Sequence, residues 1–362
     1  MPGRRIERCL AGVVLAATML AAVRAPLAQE MNAALKELAA AATKEGALTL
    51  GWSPATLGGP QGAARYQAAM NKAFGSNVHI NYLPGPDMAR MVNQLVTEFS
   101  AGQKAHVDIM LAAAPQIVPV LKANFMEPVD WRRYLPARIT PEMVELDGQI
   151  IRVVTGLTGV TYNSAMAPMP PTTLQDFLKP EWKGKIASTP YAAGFDVLLA
   201  EDVWGKEKTV NYVRALSQQV TGLIRCGEAE RIATGEYLAL VMDCTGQDAL
   251  QWQEKGAPLA QLLPLDAAQR RHYYFAVPRN AQHPAAAKLF TLFLLTEEGQ
   301  KLAYDTWKTD LDLFPGSKMG KTVADLEKRN IKFKEVTVDW YSRHPEIDVG
   351  KSELIKIITT KG

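Results

Sequence analysis

Apolar and polar positions follow two rhythms along this chain, one helical and one extended. Residues 33–44 are Ala-rich with Leu at helical spacing, which predicts a helix. The short apolar run 47–51, after Glu45 and Gly46, predicts a buried strand. A loop through Gly58 and Gly59 leads to helical periodicity over 61–74. Residues 78–83 predict a second strand, closed by Pro84, Gly85 and Pro86. Asp87 is placed to cap a helix over 88–100, and 107–111 predicts a third strand. Strand, helix, strand, helix, strand in this order implies parallel pairing with right-handed crossovers.

A second series follows. Strands are predicted at 149–154 and 159–163, then a Pro-rich loop at 165–173. Further strands are predicted at 185–188, 223–226, 237–243 and 273–277. Helices are predicted from 194–200 through 210–216, at 228–234 and, strongly apolar, at 284–295. No repeat, low-complexity tract or long linker separates the two series. Two α/β lobes without a tether fit a chain that crosses between them more than once.

Length and charge narrow the class. The 362 residues suffice for two lobes with cores of their own. Hydrophobic residues make up 48% and charged residues 21%, as in a globular protein. The formal net charge of +3 is carried by Arg4, Arg5, Arg8 and Arg24 against Glu7, so the rest is near neutral. A neutral body argues against nucleic acid as a partner and against a polybasic membrane surface. The basic start, the apolar run 10–23 and the small residues near Ala25 and Ala28 read as a signal peptide over 1–28. Pro26 obscures the cleavage point, and the Arg4-Arg5 pair leaves the export route open. Past that leader two cysteines remain, Cys226 and Cys244. In an oxidising compartment the pair suggests a disulfide, with two packed thiols as the alternative.

Several stretches resemble the extracellular solute-binding proteins of ABC importers, in the branch that includes ferric-ion-binding proteins. They are Asp108-Ile109-Met110-Leu111, Thr158-Gly159-Val160-Thr161-Tyr162-Asn163, Pro180-Glu181-Trp182-Lys183-Gly184-Lys185-Ile186 and Thr234-Gly235-Glu236-Tyr237. The last is Pro278 to Gln300, where "HPAAAKLFTLFLLTEEGQKL", 283–302, is the most specific and continues just past it. The resemblance implies the two-lobed periplasmic-binding-protein fold, type II. Crossover strands join the lobes, and the ligand sits in the cleft between them. The first lobe would take 29–155 and 271–362, the second 156–270. The implied protein is periplasmic and monomeric. It captures a small molecule and hands it to the membrane permease of an ABC importer when the cleft closes. A membrane receptor that reads the liganded form is an alternative partner.

Candidate ligand contacts follow from the rule that α/β ligands sit beyond the carboxyl ends of strands. Trp52 and Ser53 follow the first strand, one to stack and one to hydrogen-bond. Thr158 lies on the crossover. Asp243 and Thr245 end the strand predicted at 237–243. Tyr191, Ala192, Ala193, Gly194 and Phe195 lie between a strand and a helix, where free N–H groups suit a carboxylate or phosphate. Members of the resembled family use this loop for such contacts.

The iron-binding subgroup carries two adjacent tyrosines after that later strand, where this chain has Asp243-Cys244-Thr245-Gly246. Tyr273 and Tyr274 are adjacent, but neighbours on a strand point to opposite faces. The five histidines (His79, His106, His272, His283, His344) show no paired metal spacing. An anionic organic solute is therefore expected rather than a metal; ferric or other metal transport is the alternative. No cofactor is implied. No Gly-x-Ser-x-Gly elbow, His-Glu-x-x-His helix or phosphate loop points to an enzyme.

Overall fold

The computed structural model describes residues 31–360; the expected signal peptide lies outside them. The first series runs α1 (Ala33–Glu45), β1 (Ala47–Trp52), α2 (Gly59–Phe74), β2 (His79–Pro84), α3 (Met88–Ser100), β3 (Met110–Ala112) and α4 (Ala114–Ile117). The crossing region holds β4 (Val144–Glu145), β5 (Ile150–Thr158) and β6 (Val160–Asn163). Then come β7 (Ile186–Ser188), α5 (Phe195–Leu198), α6 (Lys206–Ser217), β8 (Val220–Leu223), α7 (Glu230–Ala233) and β9 (Ala239–Val241). α8 (Gln247–Glu254), β10 (Leu259–Leu262), β11 (Gln269–Ala276), α9 (Pro284–Leu294) and α10 (Glu297–Trp307) follow. The chain closes with α11 (Lys318–Lys328), β12 (Lys334–Val336), α12 (Val338–Ser342) and α13 (Glu346–Thr360).

Local signals set these boundaries. The Asn32 side chain accepts the Leu35 N–H and starts α1, and Gly46 ends it in the left-handed region. Asp87 accepts the Arg90 N–H and starts α3, as its position predicts. The strand expected at 107–111 is shorter, because Asp108 is turned inward as a clasp. Its buried carboxylate accepts the N–H groups of Thr49, Gln282 and His283 at 2.7–2.9 Å. It thereby ties β1 to the loop before α9.

Two five-stranded sheets define the lobes. In the first lobe the order is β12-β11-β5-β4, with β3 also on β11. β1 and β2 form a separate parallel pair beside it. In the second lobe the order is β10-β6-β9-β7-β8. The expected parallel pairing is found for β1–β2, β7–β8 and β7–β9, whereas β3 runs antiparallel to β11 and β6 to β9. The chain leaves the first sheet after Thr158 and returns between Leu262 and Gln269. Gly159 marks the passage: a Cβ there would sit 2.1 Å from the Leu262 carbonyl oxygen, so only glycine lets the two segments approach.

Of 271–362, expected in the first lobe, β12 joins the first sheet and α12 packs beside it, whereas α11 and α13 reach beyond that sheet. α11 covers Leu157, Leu263 and Ala268 with Met319 and Val323, forming a small apolar cluster over the crossing. α13 packs on α6 and α5 of the second lobe. Lys351 of α13 and Arg271 of β11 both pair with Asp196 of α5, at 3.4 and 3.1 Å. Burial alone would raise the Asp196 carboxyl, but these two cations hold it below its usual value. Among the described residues, no helix is long and apolar enough to cross a membrane.

Candidate functional site

The end of β5 and two segments of the second lobe meet at the crossover strands. Thr158, at the end of β5, is fully buried and its Oγ1–H donates to the Cys244 carbonyl at 2.8 Å. Gly194 lies against Thr158 and Met242: a Cβ there would come 2.9 Å from Thr158 Cγ2 and 2.5 Å from Met242 Cε. Thr245 fills the notch left by Gly156 and lies over Tyr273; its hydroxyl donates to Gln247 Oε1 at 2.7 Å. Thr158, the 191–195 loop and residues 243–245 are thus brought together.

Tyr191 is the exposed member of its loop. Its hydroxyl oxygen accepts the Cys226 N–H at 2.9 Å and lies 3.9 Å from Cys244 Sγ. The expected disulfide between Cys226 and Cys244 is present, with Cα atoms 5.9 Å apart. Cys226 is not at a strand end, however. β8 stops at Leu223, and the expected strand at 223–226 gives way to a turn that the Glu228 carboxylate closes on the Arg225 N–H.

The helix after this loop is a single turn, so the expected site at the start of a longer helix is not formed. The Ala193 N–H donates to Thr189 Oγ1 and the Asp196 N–H to the Ala192 carbonyl. Among the described residues, the Gly194 and Phe195 N–H groups have no acceptor. They remain the donors this loop offers.

Asp243 is buried under the wall rather than presented on it. Its carboxylate accepts the Gly159 N–H at 3.2 Å and the Thr161 hydroxyl at 2.5 Å. Burial pushes the Asp243 carboxyl up to about 6, against those hydrogen bonds and aided by Asp248. Its role here is to hold the passage from β5 to β6.

On the first lobe, Trp52 is a core residue. It is 2% exposed and stacked on Phe275 at 5.2 Å, with Tyr82 and Phe290 each at 6.3 Å. With a face taken by Phe275, the indole is not the stacking platform expected from its place at a strand end. Among the described residues its Nε1–H, buried, has no partner. The residue lines a small cavity of about 30 Å³ with Ser53, Thr56, Met88, Met91 and Leu111. Ser53 is exposed, and its hydroxyl shares a 3.0 Å hydrogen bond with Thr56.

The segment that connects these walls carries no local sequence signal of that role. Thr306 bonds the Tyr66 hydroxyl, and Trp307 packs on Tyr273 at 5.8 Å. Lys308 pairs with Glu254 of α8 at 2.7 Å. Thr155 of β5 then takes the chain up: its N–H donates to the Asp310 carbonyl and its hydroxyl to the Asp312 carboxylate. Asp312 also meets His272 at 2.9 Å and Arg270 at 3.2 Å. Burial alone would raise Asp312, but His272, Thr155 and Arg270 hold it down at about 2. Arg270 and Arg152 continue the network to Glu335 and Glu145.

Tyr273 and Tyr274 diverge, with a register shift between them. The Tyr274 hydroxyl donates to Glu145 at 2.8 Å deep in the first lobe. Tyr273 instead lies against Thr245 and Trp307. Burial holds both phenols above their usual range. Among the described residues, no group of three or more His, Cys, Asp or Glu side chains is placed to hold a metal ion.

The family model of the bacterial extracellular solute-binding proteins matches residues 63–326. The chain belongs to that family. Among curated relatives, the Fe(3+)-binding periplasmic protein of Serratia marcescens is 30% identical over 134 residues. That match spans 36% of this chain and 38% of the relative, well under half of each. The fold is shared with the substrate-binding protein of an ABC transporter from Agrobacterium tumefaciens. The two are 17% identical with a TM-score of 0.69, over 87% of this chain and 93% of that one. The periplasmic binding protein AfuA of Actinobacillus pleuropneumoniae, with fructose-6-phosphate bound, is 15% identical with a TM-score of 0.68. That match covers 86% of this chain and 98% of AfuA. The two-lobed architecture of this chain is therefore that of periplasmic solute-binding proteins.

Proposed function

We propose that this family member captures a small anionic organic solute in the periplasm, after removal of residues 1–28, and delivers it as a monomer to an ABC-importer permease. The role is transport rather than catalysis. The observation that carries the reading is the second-lobe wall. Three segments distant in sequence converge beside the crossover strands and leave the Gly194 and Phe195 N–H groups unpaired among the described residues. With the Tyr191 hydroxyl, which accepts the Cys226 N–H and keeps its own proton to give, these are donors of the kind that bind a carboxylate or phosphate ester. Ser53 and the Trp52 Nε1–H would complete the site from the first lobe on closure.

Ferric transport is the second reading, favoured by the Serratia relative's name. Against it stands the divergence of Tyr273 and Tyr274, whose phenols cannot converge on one ion from opposite faces of β11. A thermal-shift screen of the purified mature chain against organic acids, phosphate esters and ferric citrate tests the choice. An organic anion should raise the melting temperature and ferric citrate should not. A rise with ferric citrate alone would replace the first reading by the second.

A further inference from the structure

The candidate ligand wall is tied together at its rim by the Cys226–Cys244 disulfide. β8 ends at Leu223 and β9 at Val241, so neither cysteine lies in a strand ladder. The turn carrying Cys226 is attached to the wall by few links. The Cys226 N–H donates to the Tyr191 hydroxyl at 2.9 Å, the Gly227 N–H to the Asp248 carboxylate at 2.6 Å, and the disulfide reaches Cys244. Cys244 in turn receives the Thr158 hydroxyl on its carbonyl. Both cysteines are half-buried, while Arg225, Gly227, Glu228 and Tyr191 around them are exposed. A dithiol reductant therefore has a path to the sulfurs.

We infer that the disulfide is a redox-responsive positioning element of this wall. Oxidised, it fixes the Tyr191 hydroxyl and the 243–248 segment; reduced, it releases them. One thiolate of the dithiol attacks a cystine sulfur and forms a mixed disulfide, and the other cysteine leaves as a thiolate and takes up a proton. The second thiolate of the reductant then displaces the first cysteine, which is protonated in turn. Two electrons and two protons pass to the protein, and the reductant becomes a disulfide. A segment attached by so few links is one that opens locally while the sheet beneath it stays closed. The inference rests on reading this wall as the ligand contact, and its test is made without any ligand.

Amide hydrogen exchange, followed by mass spectrometry, is measured on the full mature chain before and after dithiothreitol and on the C226S/C244S double variant. Exchange over 225–228 and 244–248 should rise about tenfold or more in the reduced protein and in the variant. β1 and β6 should be unchanged. Tyr191→Phe, which keeps the disulfide, should accelerate exchange at Cys226 alone. Unchanged exchange at the rim, or equal acceleration through β6, β7 and β9, would overturn the inference, the latter by showing a staple for the whole lobe. If the ligand reading itself is wrong, the solute screen fails while this exchange pattern stands.

Discussion

Lys308 and Glu254 join the two lobes by an ion pair, with 2.7 Å between Nζ and Oε2. Lys308 caps α10, which packs on α2 and α9; Glu254 ends α8, which packs on β10 and β6. A second pair, Arg271 with Asp196, also links β11 of the first sheet to α5 of the second lobe. The Lys308 side chain is 12% exposed and that of Glu254 60%, so solvent screens the Lys308–Glu254 pair substantially. An exposed pair of this kind contributes roughly 0.2–1 kcal/mol.

Glu254→Gln should therefore weaken binding of the solute found in the thermal-shift screen by up to about fivefold. The difference from wild type should shrink as salt is raised, which calorimetry at low and high ionic strength measures. An effect insensitive to salt would show that the pair does not hold the closed form.

Trp52 tests the division between core and site. Trp52→Ala removes the stack on Phe275 and should cost roughly 3–5 kcal/mol, a large fall in melting temperature. Trp52→Phe keeps an aromatic in the core but loses the Nε1–H. It should lower stability less and still reduce affinity, if that donor reaches the ligand on closure. Full affinity in Trp52→Phe would confine Trp52 to the core.

Two carboxyls give opposite pH dependences. Asp312 sits at about 2, below its unfolded value, so its contribution to stability is present above about pH 4 and is lost as pH falls toward 2. Asp243 sits at about 6, above its unfolded value. Its contribution is full below about pH 4 and is lost as pH rises through 6. Thermal melts should show Asp312→Asn most harmful near neutrality and least below pH 3. The melting temperature of Asp243→Asn relative to wild type should climb between pH 4 and 8. A flat difference for either variant would contradict the environment assigned to that carboxyl.

Gly194 has φ 77°, and a side chain there would strike Met242 and Thr158. Gly194→Ala should lower the melting temperature by several degrees, as a strained backbone and an overfilled contact each cost roughly 1–3 kcal/mol. A melt unchanged from wild type would mean the wall is free to shift.

The sequence made the elements with strong local signals legible. The capped helix at Asp87, the strand of residues 47–52 and the apolar α9 all stand close to where periodicity puts them. Cys226 and Cys244 pair as expected, because past the expected leader each has one possible partner. What stayed hidden depends on contacts far apart in sequence. Trp52 reads as a ligand platform from its place at a strand end, yet Phe275 and Phe290, more than two hundred residues on, take it into the core. Asp243 reads as a cleft residue, yet Gly159 and Thr161 draw it beneath the wall. Lys308 and Glu254 sit on polar helices whose periodicity says nothing of a partner. α13 carries a mixed apolar pattern that does not reveal which lobe it covers.

The central claim is that the cleft between the lobes holds one small organic anion. Mass spectrometry of the solute released on denaturing protein purified from its native periplasm, alongside metal analysis of the same sample, tests it most directly. The account predicts one organic anion, at up to one per chain, and no stoichiometric iron. One iron per chain with no organic solute would contradict it.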